Sequence, residues 1–310
     1  AQAGLAAFLL ALVWWVTEPV PTYLTSLALM FLLLTTRAST AKPILDVLGL
    51  EVIWLNLLAF ILSAMLVKTR LARRVALALV LKFGASARWA LFAFVLIQLA
   101  LAPLIPATAA RAVMTLPLMV VVAAIYGSTE DHPTAFGKHL LLLNLVGISV
   151  LSSISMTGSS ANLVAVGLIE TMGGRRLYYM DWMRLGAPIA ITTVLLMWWI
   201  GQRWPFRMTP AAQVPQIPGG LALVEEKHRA LGPLSSGERK AAAIFALVLF
   251  LWMTDVFHAR WFGVEIAAPF AALAGVLIAL FPRWGVLTWA DAEVPWHLLI
   301  FSAAAYAGGL

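Results

Sequence analysis

Two short clusters hold the side chains most able to do chemistry. Pro106-Ala107-Thr108-Ala109-Ala110-Arg111 interrupts an apolar stretch from Trp89 to Tyr126, in which Arg111 is the sole charge. Ser152, Ser153, Ser155, Thr157, Gly158, Ser159, Ser160 and Asn162 interrupt a second stretch, Leu140 to Ile169, with neutral hydroxyl and amide groups. An unbroken helix satisfies its own backbone in lipid. An interrupted one frees N–H and C=O groups, which persist at membrane depth only when buried in protein or facing a watery cavity. Freed carbonyls suit a small cation, and the helix N-terminus starting near Ala109 turns its positive end toward an anion. Two such interruptions in one chain point to the binding site of a secondary transporter.

Each cluster has a plainer reading. An intramembrane Arg111 is either a substrate counter-ion or a charge paired to backbone carbonyls, and if its stretch is two full spans it merely snorkels. Scattered serines suit helix–helix packing in lipid, but Gly158 followed by Asn162 marks unwinding. Glu18, between Thr17 and Pro19, reads as a turn and capping residue, as does Asp255. Asn56 and Gln98 read as amides bonding between helices. The five His, at 132, 139, 228, 258 and 297, have no metal-site spacing. No His-Glu-x-x-His or Gly-x-Ser-x-Gly is present, so no catalytic residue, metal or cofactor is expected and the chain reads as a non-enzyme. A channel is a further alternative, since small polar breaks also line pores.

The elements that must position these clusters follow from composition. The 310 residues are 62% hydrophobic and 11% charged, with mean hydropathy +0.93, against about 25% charged in soluble domains. An all-α polytopic membrane protein is implied, with helices at about 3–17, 21–36, 52–67, 140–170, 184–201, 241–257, 264–281 and 294–310. The arms 89–105 and 112–126 would run about 22–26 Å against a hydrocarbon core of about 30 Å, so a re-entrant hairpin over 89–126 is favoured over two spans. Lys68, Arg70, Arg73, Arg74, Lys82 and Arg88 form the main cluster of positive charge. With Arg70, Arg73 and Arg74 on one face, 69–82 reads as an interfacial helix with its basic face in the headgroups. Loops 68–88 and 202–240 are placed in the cytoplasm, the latter as a Pro- and Gly-rich linker. Arg175, Arg176 and Arg184 then fall outside, against the rule. These loops account for the net charge of +7 without a nucleic-acid partner, and the absence of Cys excludes a disulfide framework.

An internal repeat joins the two ends. Trp15-Val16-Thr17-Glu18 matches Trp252-Met253-Thr254-Asp255 at an offset of 237, and Glu51-Val52-Ile53-Trp54 matches Glu293-Val294-Pro295-Trp296 at 242. The unit 3–201 holds an odd number of crossings, so the second would enter inverted. Residues 241–310 read as the truncated start of that second repeat, in a full chain of roughly 450–480 residues.

Further motifs carry a resemblance. Trp14-Trp15-Val16-Thr17-Glu18-Pro19-Val20-Pro21, Lys68-Thr69-Arg70-Leu71-Ala72-Arg73-Arg74, Leu101 to Pro106 leading to Arg111, Gly158-Ser159-Ser160-Ala161-Asn162, Leu231 to Ser235 and Gly285 to Asp291 follow one another in an order that resembles the divalent anion:sodium symporter family of dicarboxylate, tricarboxylate and sulfate carriers. The resemblance implies sodium-coupled symport of a small anion by an elevator mechanism, in a homodimer embedded in the lipid bilayer of a prokaryotic inner or cell membrane. It implies a scaffold of 3–67 and 184–201, continuing to 281, and a moving transport domain containing the hairpin 89–126 and the broken helix 140–170. It assigns Na⁺ to Pro106, Ala107, Thr108, Thr157, Gly158 and Ser159, and substrate to Thr108, Ala109, Arg111, Ser160 and Asn162. Ala107-Thr108-Ala109 stands where the family has Ser-Asn-Thr, which removes two side-chain ligands and leaves sodium-independent anion exchange as the alternative.

Overall fold

A computed structural model describes residues 2–174, 176–217 and 219–309, and every regular element among them is helical. The sequence expectations at Arg175 and Leu310 lie outside the described residues. The chain opens with α1 (Gln2–Thr17) and α2 (Thr22–Thr35), joined by a turn in which Glu18 takes a left-handed φ of 46° ahead of Pro19. A short α3 (Ala41–Asp46) leads to α4 (Glu51–Lys68), with an acid in its first turn and a base in its last, each complementing the helix dipole. Arg70, at φ 62°, turns the chain into α5 (Leu71–Phe83). Then come α6 (Ala87–Leu101) and α7 (Thr108–Ile125), followed by α8 (Ala135–Ser152) and α9 (Ser160–Gly173), and α10 (Tyr179–Gly201). The remainder is α11 (Gly220–Arg229), α12 (Ser236–Met253), α13 (His258–Phe262), α14 (Ala268–Leu280) and α15 (Trp296–Gly309).

The helices are shorter than the apolar runs suggest. Among the described residues α4, α7, α8 and α10 are long and apolar enough to cross a membrane, and α12 with α13 forms one further candidate bent by 63°. The helices α1, α2, α6 and α14 have 16, 14, 15 and 13 residues, below the roughly 17–25 needed for a level crossing. Turn chemistry cuts them: Pro19 and Pro21 separate α1 from α2, and Pro103 and Pro106 end α6. A capping box of Ser235 and Glu238 starts α12 at Ser236, ahead of the apolar run that begins near 241.

Three cores hold these helices. The first joins α5, α6, α7, α8, α10 and α11 through residues such as Phe94, Leu101, Leu140 and Val194. The second joins α4, α9, α12 and α14 around Met65, Val248 and Trp252, and the third joins α1, α2 and α15 around Leu29 and Tyr306. Sequence reasoning grouped 184–201 with 3–67. Ala190, Val194 and Trp198 of α10 lie in the core shared with α6 and α8. Two further differences concern the basic end. The 202–240 connector contains α11, whose Val224 is fully buried and whose approach is fixed by Gln216 N–H donating to the Ile125 carbonyl at 2.8 Å. Arg74 is engaged within the protein: its Nε lies 2.6 Å from Glu238 Oε1, and its Nη1 donates to the Gly232 carbonyl at 2.9 Å. Three positive charges on one face allowed no such distinction from sequence.

Trp15 and Trp252, one position of one motif pair, each bond across a turn, although Trp252 is buried and Trp15 only half-buried. Trp15 Nε1 donates across its turn to Ser26 Oγ at 3.2 Å, and Trp252 Nε1 donates across its own to the Ala268 carbonyl at 2.9 Å. Asp255 caps a different helix, accepting from Tyr179 N–H at the start of α10 at 2.8 Å as well as from Val256 N–H.

Candidate functional site

The first break is a proline-built turn. Leu101 ends α6, residues 102–107 are non-helical or turn, and α7 begins at Thr108 behind Ala107, which offers no side-chain cap. The first N–H groups of α7 are therefore left to other acceptors. Ala109 and Ala110 are exposed there, Thr108 and Ala107 half-buried, and Pro106 buried. One turn on, Arg111 is fully buried.

The second break is a 3₁₀ turn, Met156–Gly158, between α8 and α9. Asn162 holds it: Nδ2 donates to the carbonyls of Ser152 at 2.8 Å and Ser155 at 2.9 Å. Ser159 caps α9, accepting from Ala161 N–H at 3.3 Å. Gly158 has no room for a side chain, because a Cβ there would overlap the Ser152 carbonyl oxygen.

Arg111 joins the two breaks. Its Nη2 donates to the Ile148 carbonyl at 3.3 Å, to the Gly158 carbonyl at 3.2 Å, and to Ser152 Oγ. Nε and Nη1 are buried without a hydrogen-bond partner, and no carboxylate pairs with Arg111 among the described residues. A buried donor without an acceptor costs about 1–3 kcal/mol, more when charged. The chemistry this arrangement invites is an oxyanion acceptor at a fixed cation.

Some predicted residues converge and others do not. Arg111 and Gly158 meet; the Ala107 carbonyl accepts from Arg111 N–H at 3.1 Å. Thr157 Oγ1 is engaged by the Tyr179 hydroxyl at 3.2 Å, a buried partner that sequence reasoning did not single out. Ser160 turns away toward Asn56 Oδ1 at 3.1 Å, and Asn56 in turn reaches Ser302 Oγ at 3.4 Å. Gln98 Nε2 donates to Asn144 Oδ1 at 2.9 Å behind the site. Both amides thus bond between helices. Tyr306 was also missed; its hydroxyl lies 2.9 and 2.8 Å from the carbonyls of Leu163 and Val164 in α9. A lone Tyr in an apolar run carries no pairing signal. No cluster of three metal-ligating side chains occurs among the described residues.

A family model described as the sodium:sulfate symporter transmembrane region matches residues 1–308. An L-tartrate/succinate antiporter of Escherichia coli strain K12 is 29% identical over 249 residues, covering 77% of this chain and 50% of the relative. A protein named only as a membrane protein, from Cupriavidus necator, is 28% identical over 244 residues, covering 78% of this chain and 45% of the relative. The chain therefore spans about half the length of the curated relatives it matches.

Proposed function

Because the chain belongs to the sodium:sulfate symporter family, an integral-membrane transporter family, we propose that it supplies binding-site residues of a secondary carrier for small dianions of the succinate and tartrate kind. The observation that carries this reading is Arg111, fully buried between the two breaks with Nε and Nη1 unpartnered. An intramembrane cation without a carboxylate partner is costly to keep unless an anion visits it. The first turn of α7, uncapped at Thr108 and Ala109, adds N–H donors and the positive end of the helix dipole. In this reading Thr108, Ala109 and Arg111 receive the substrate, Asn162 shapes the loop that faces it, and Ser160 braces that loop against α4.

Coupling is proposed as exchange. Of Pro106, Ala107, Thr108, Thr157, Gly158 and Ser159, which sodium would use, three already take part in hydrogen bonds: Gly158 O with Arg111, Thr157 Oγ1 with Tyr179, and Ser159 Oγ with Ala161 N–H. The guanidinium supplies the positive charge that sodium would otherwise bring. The names of the antiporter relatives support the same choice. Movement is proposed as an elevator in which the α5–α8 and α10 core slides against α1, α2, α4, α12 and α14, within a homodimer. The test is counterflow in proteoliposomes: labelled succinate should enter only when the lumen holds unlabelled dicarboxylate, with or without sodium. Entry into an empty lumen driven by an inward sodium gradient would reverse the coupling to symport. No substrate-dependent flux under either condition would overturn the carrier.

A further inference from the structure

A groove of about 290 Å³ opens between α5, α7 and α11, and Arg111 does not line it. Leu77, Met114, Pro117 and Leu118 form its apolar walls, and Arg73 and Lys227 stand at its rim. Neither cation has a carboxylate partner among the described residues. The ion pairs around this end are Lys68–Asp291, Arg74–Glu238 and Arg229–Glu225. No acidic side chain among the described residues lines the groove. From it, Val113, Leu116 and Val120 continue along one side of α7, exposed by 72%, 51% and 59%.

We propose that this groove binds one anionic phospholipid, its phosphate between Arg73 and Lys227 and an acyl chain laid along α7. The walls and the rim make different demands. A soluble anion would satisfy the two cations and gain nothing from the apolar walls. A neutral lipid or an apolar helix would fill the walls and leave two charges covered and unpaired, which is costly. An anionic amphiphile meets both demands, as basic pockets between membrane helices do elsewhere. The three helices that line the groove come from separate stretches of chain, so a lipid lodged there holds α5, α7 and α11 together. The proposal concerns no residue of the Arg111 site and its test reads binding, so it stands or falls apart from the transport reading.

The intact protein, purified in neutral detergent, is titrated with phosphatidylglycerol, phosphatidylcholine or glycerol phosphate while its thermal unfolding midpoint is followed. Phosphatidylglycerol should raise the midpoint by about 3 °C or more, while phosphatidylcholine and glycerol phosphate leave it within about 1 °C. Arg73→Gln with Lys227→Gln should abolish the shift. Met114→Trp should abolish it by filling the groove with both cations in place, so the test survives a poorly folded double variant. Arg203→Gln, an exposed cation stacked on Trp199 outside the groove, should keep the shift. An equal shift with phosphatidylcholine or glycerol phosphate, a shift that survives either groove variant, or no shift at all would overturn the proposal.

Discussion

Arg111 Nη2 donates to the Gly158 carbonyl at 3.2 Å, across 47 residues of sequence, so one buried charge links the two broken elements. The same nitrogen reaches the Ile148 carbonyl and Ser152 Oγ. The link makes the breaks interdependent: a displacement of the α6–α7 turn shifts the acceptors at the α8–α9 turn as well.

Replacing Arg111 tests the link and the charge separately. Arg111→Gln removes the cation and leaves buried carbonyls short of a donor, a cost of about 1–3 kcal/mol. Arg111→Lys keeps the charge but loses the planar guanidinium, whose Nε and Nη1 are the donors left open for an anion. The expected outcome is at least a tenfold loss of dicarboxylate affinity in Arg111→Lys, about 1.4 kcal/mol, and no measurable binding in Arg111→Gln. Isothermal titration on folded, monodisperse protein checks both. Unchanged affinity in either variant removes Arg111 from the site.

Asn162→Ala deletes two hydrogen bonds that close the second break. Together they are worth about 1–3 kcal/mol, and the freed Ser152 and Ser155 carbonyls would pull the loop out of shape. Uptake should fall to background while the protein still inserts and folds, read by proteoliposome flux alongside size-exclusion profiles. Wild-type uptake kinetics would show that the loop does not need its amide.

Gly158→Ala is expected to be as damaging for a steric reason. The added Cβ meets the Ser152 backbone as well as Ser155 Oγ, so the turn itself must shift. Overpacking of this kind costs about 1–3 kcal/mol. Gly49→Ala is the control, since a Cβ there meets nothing within 4 Å. Equal flux in the two variants would mean that the tight turn plays no part in the cycle.

The breaks were legible in the sequence because their causes are local. Pro103 and Pro106 cannot continue a helix, and Gly158 among hydroxyl residues signals unwinding. The membrane character followed from high apolar content and low charge. What was not legible depends on contacts between distant segments. Nothing near Arg111 in the chain names Gly158 or Ile148 as its acceptors, and nothing near Arg74 distinguishes a partner at Glu238 from a headgroup. The placement of α10 beside α6 and α8 rests on Ala190, Val194 and Trp198, which read from sequence as ordinary apolar helix residues. Short α11 was hidden by its flanking glycine, proline and charge, although Val224 anchors it.

The end of α4 offers a pH-dependent test outside the apolar spans. Lys68 Nζ lies 2.6 Å from Asp291 Oδ2, which also accepts from Thr288 N–H and Thr288 Oγ1, each at 2.6 Å. The lysine first, then the threonine, holds the Asp291 carboxyl down at about 2, below its ordinary value of about 3.9. A carboxylate whose pKa is depressed on folding stabilises the folded state above the unfolded value and loses that contribution as pH falls through the folded one. The gain from Asp291 should therefore be complete above about pH 4 and vanish by about pH 2. Asp291→Asn removes the titration, so the unfolding midpoints of wild type and variant should differ at neutral pH and converge on acidification across that window. Because the pair is open to solvent, the difference should also shrink in high salt. Its structural meaning lies in position: the pair ties the end of α4, where Arg70 turns the chain into α5, to the turn that leads into α15. A pH-independent difference between the two proteins would show that the amide variant fails for lack of the Thr288 cap geometry and that the Lys68 charge contributes nothing at this junction.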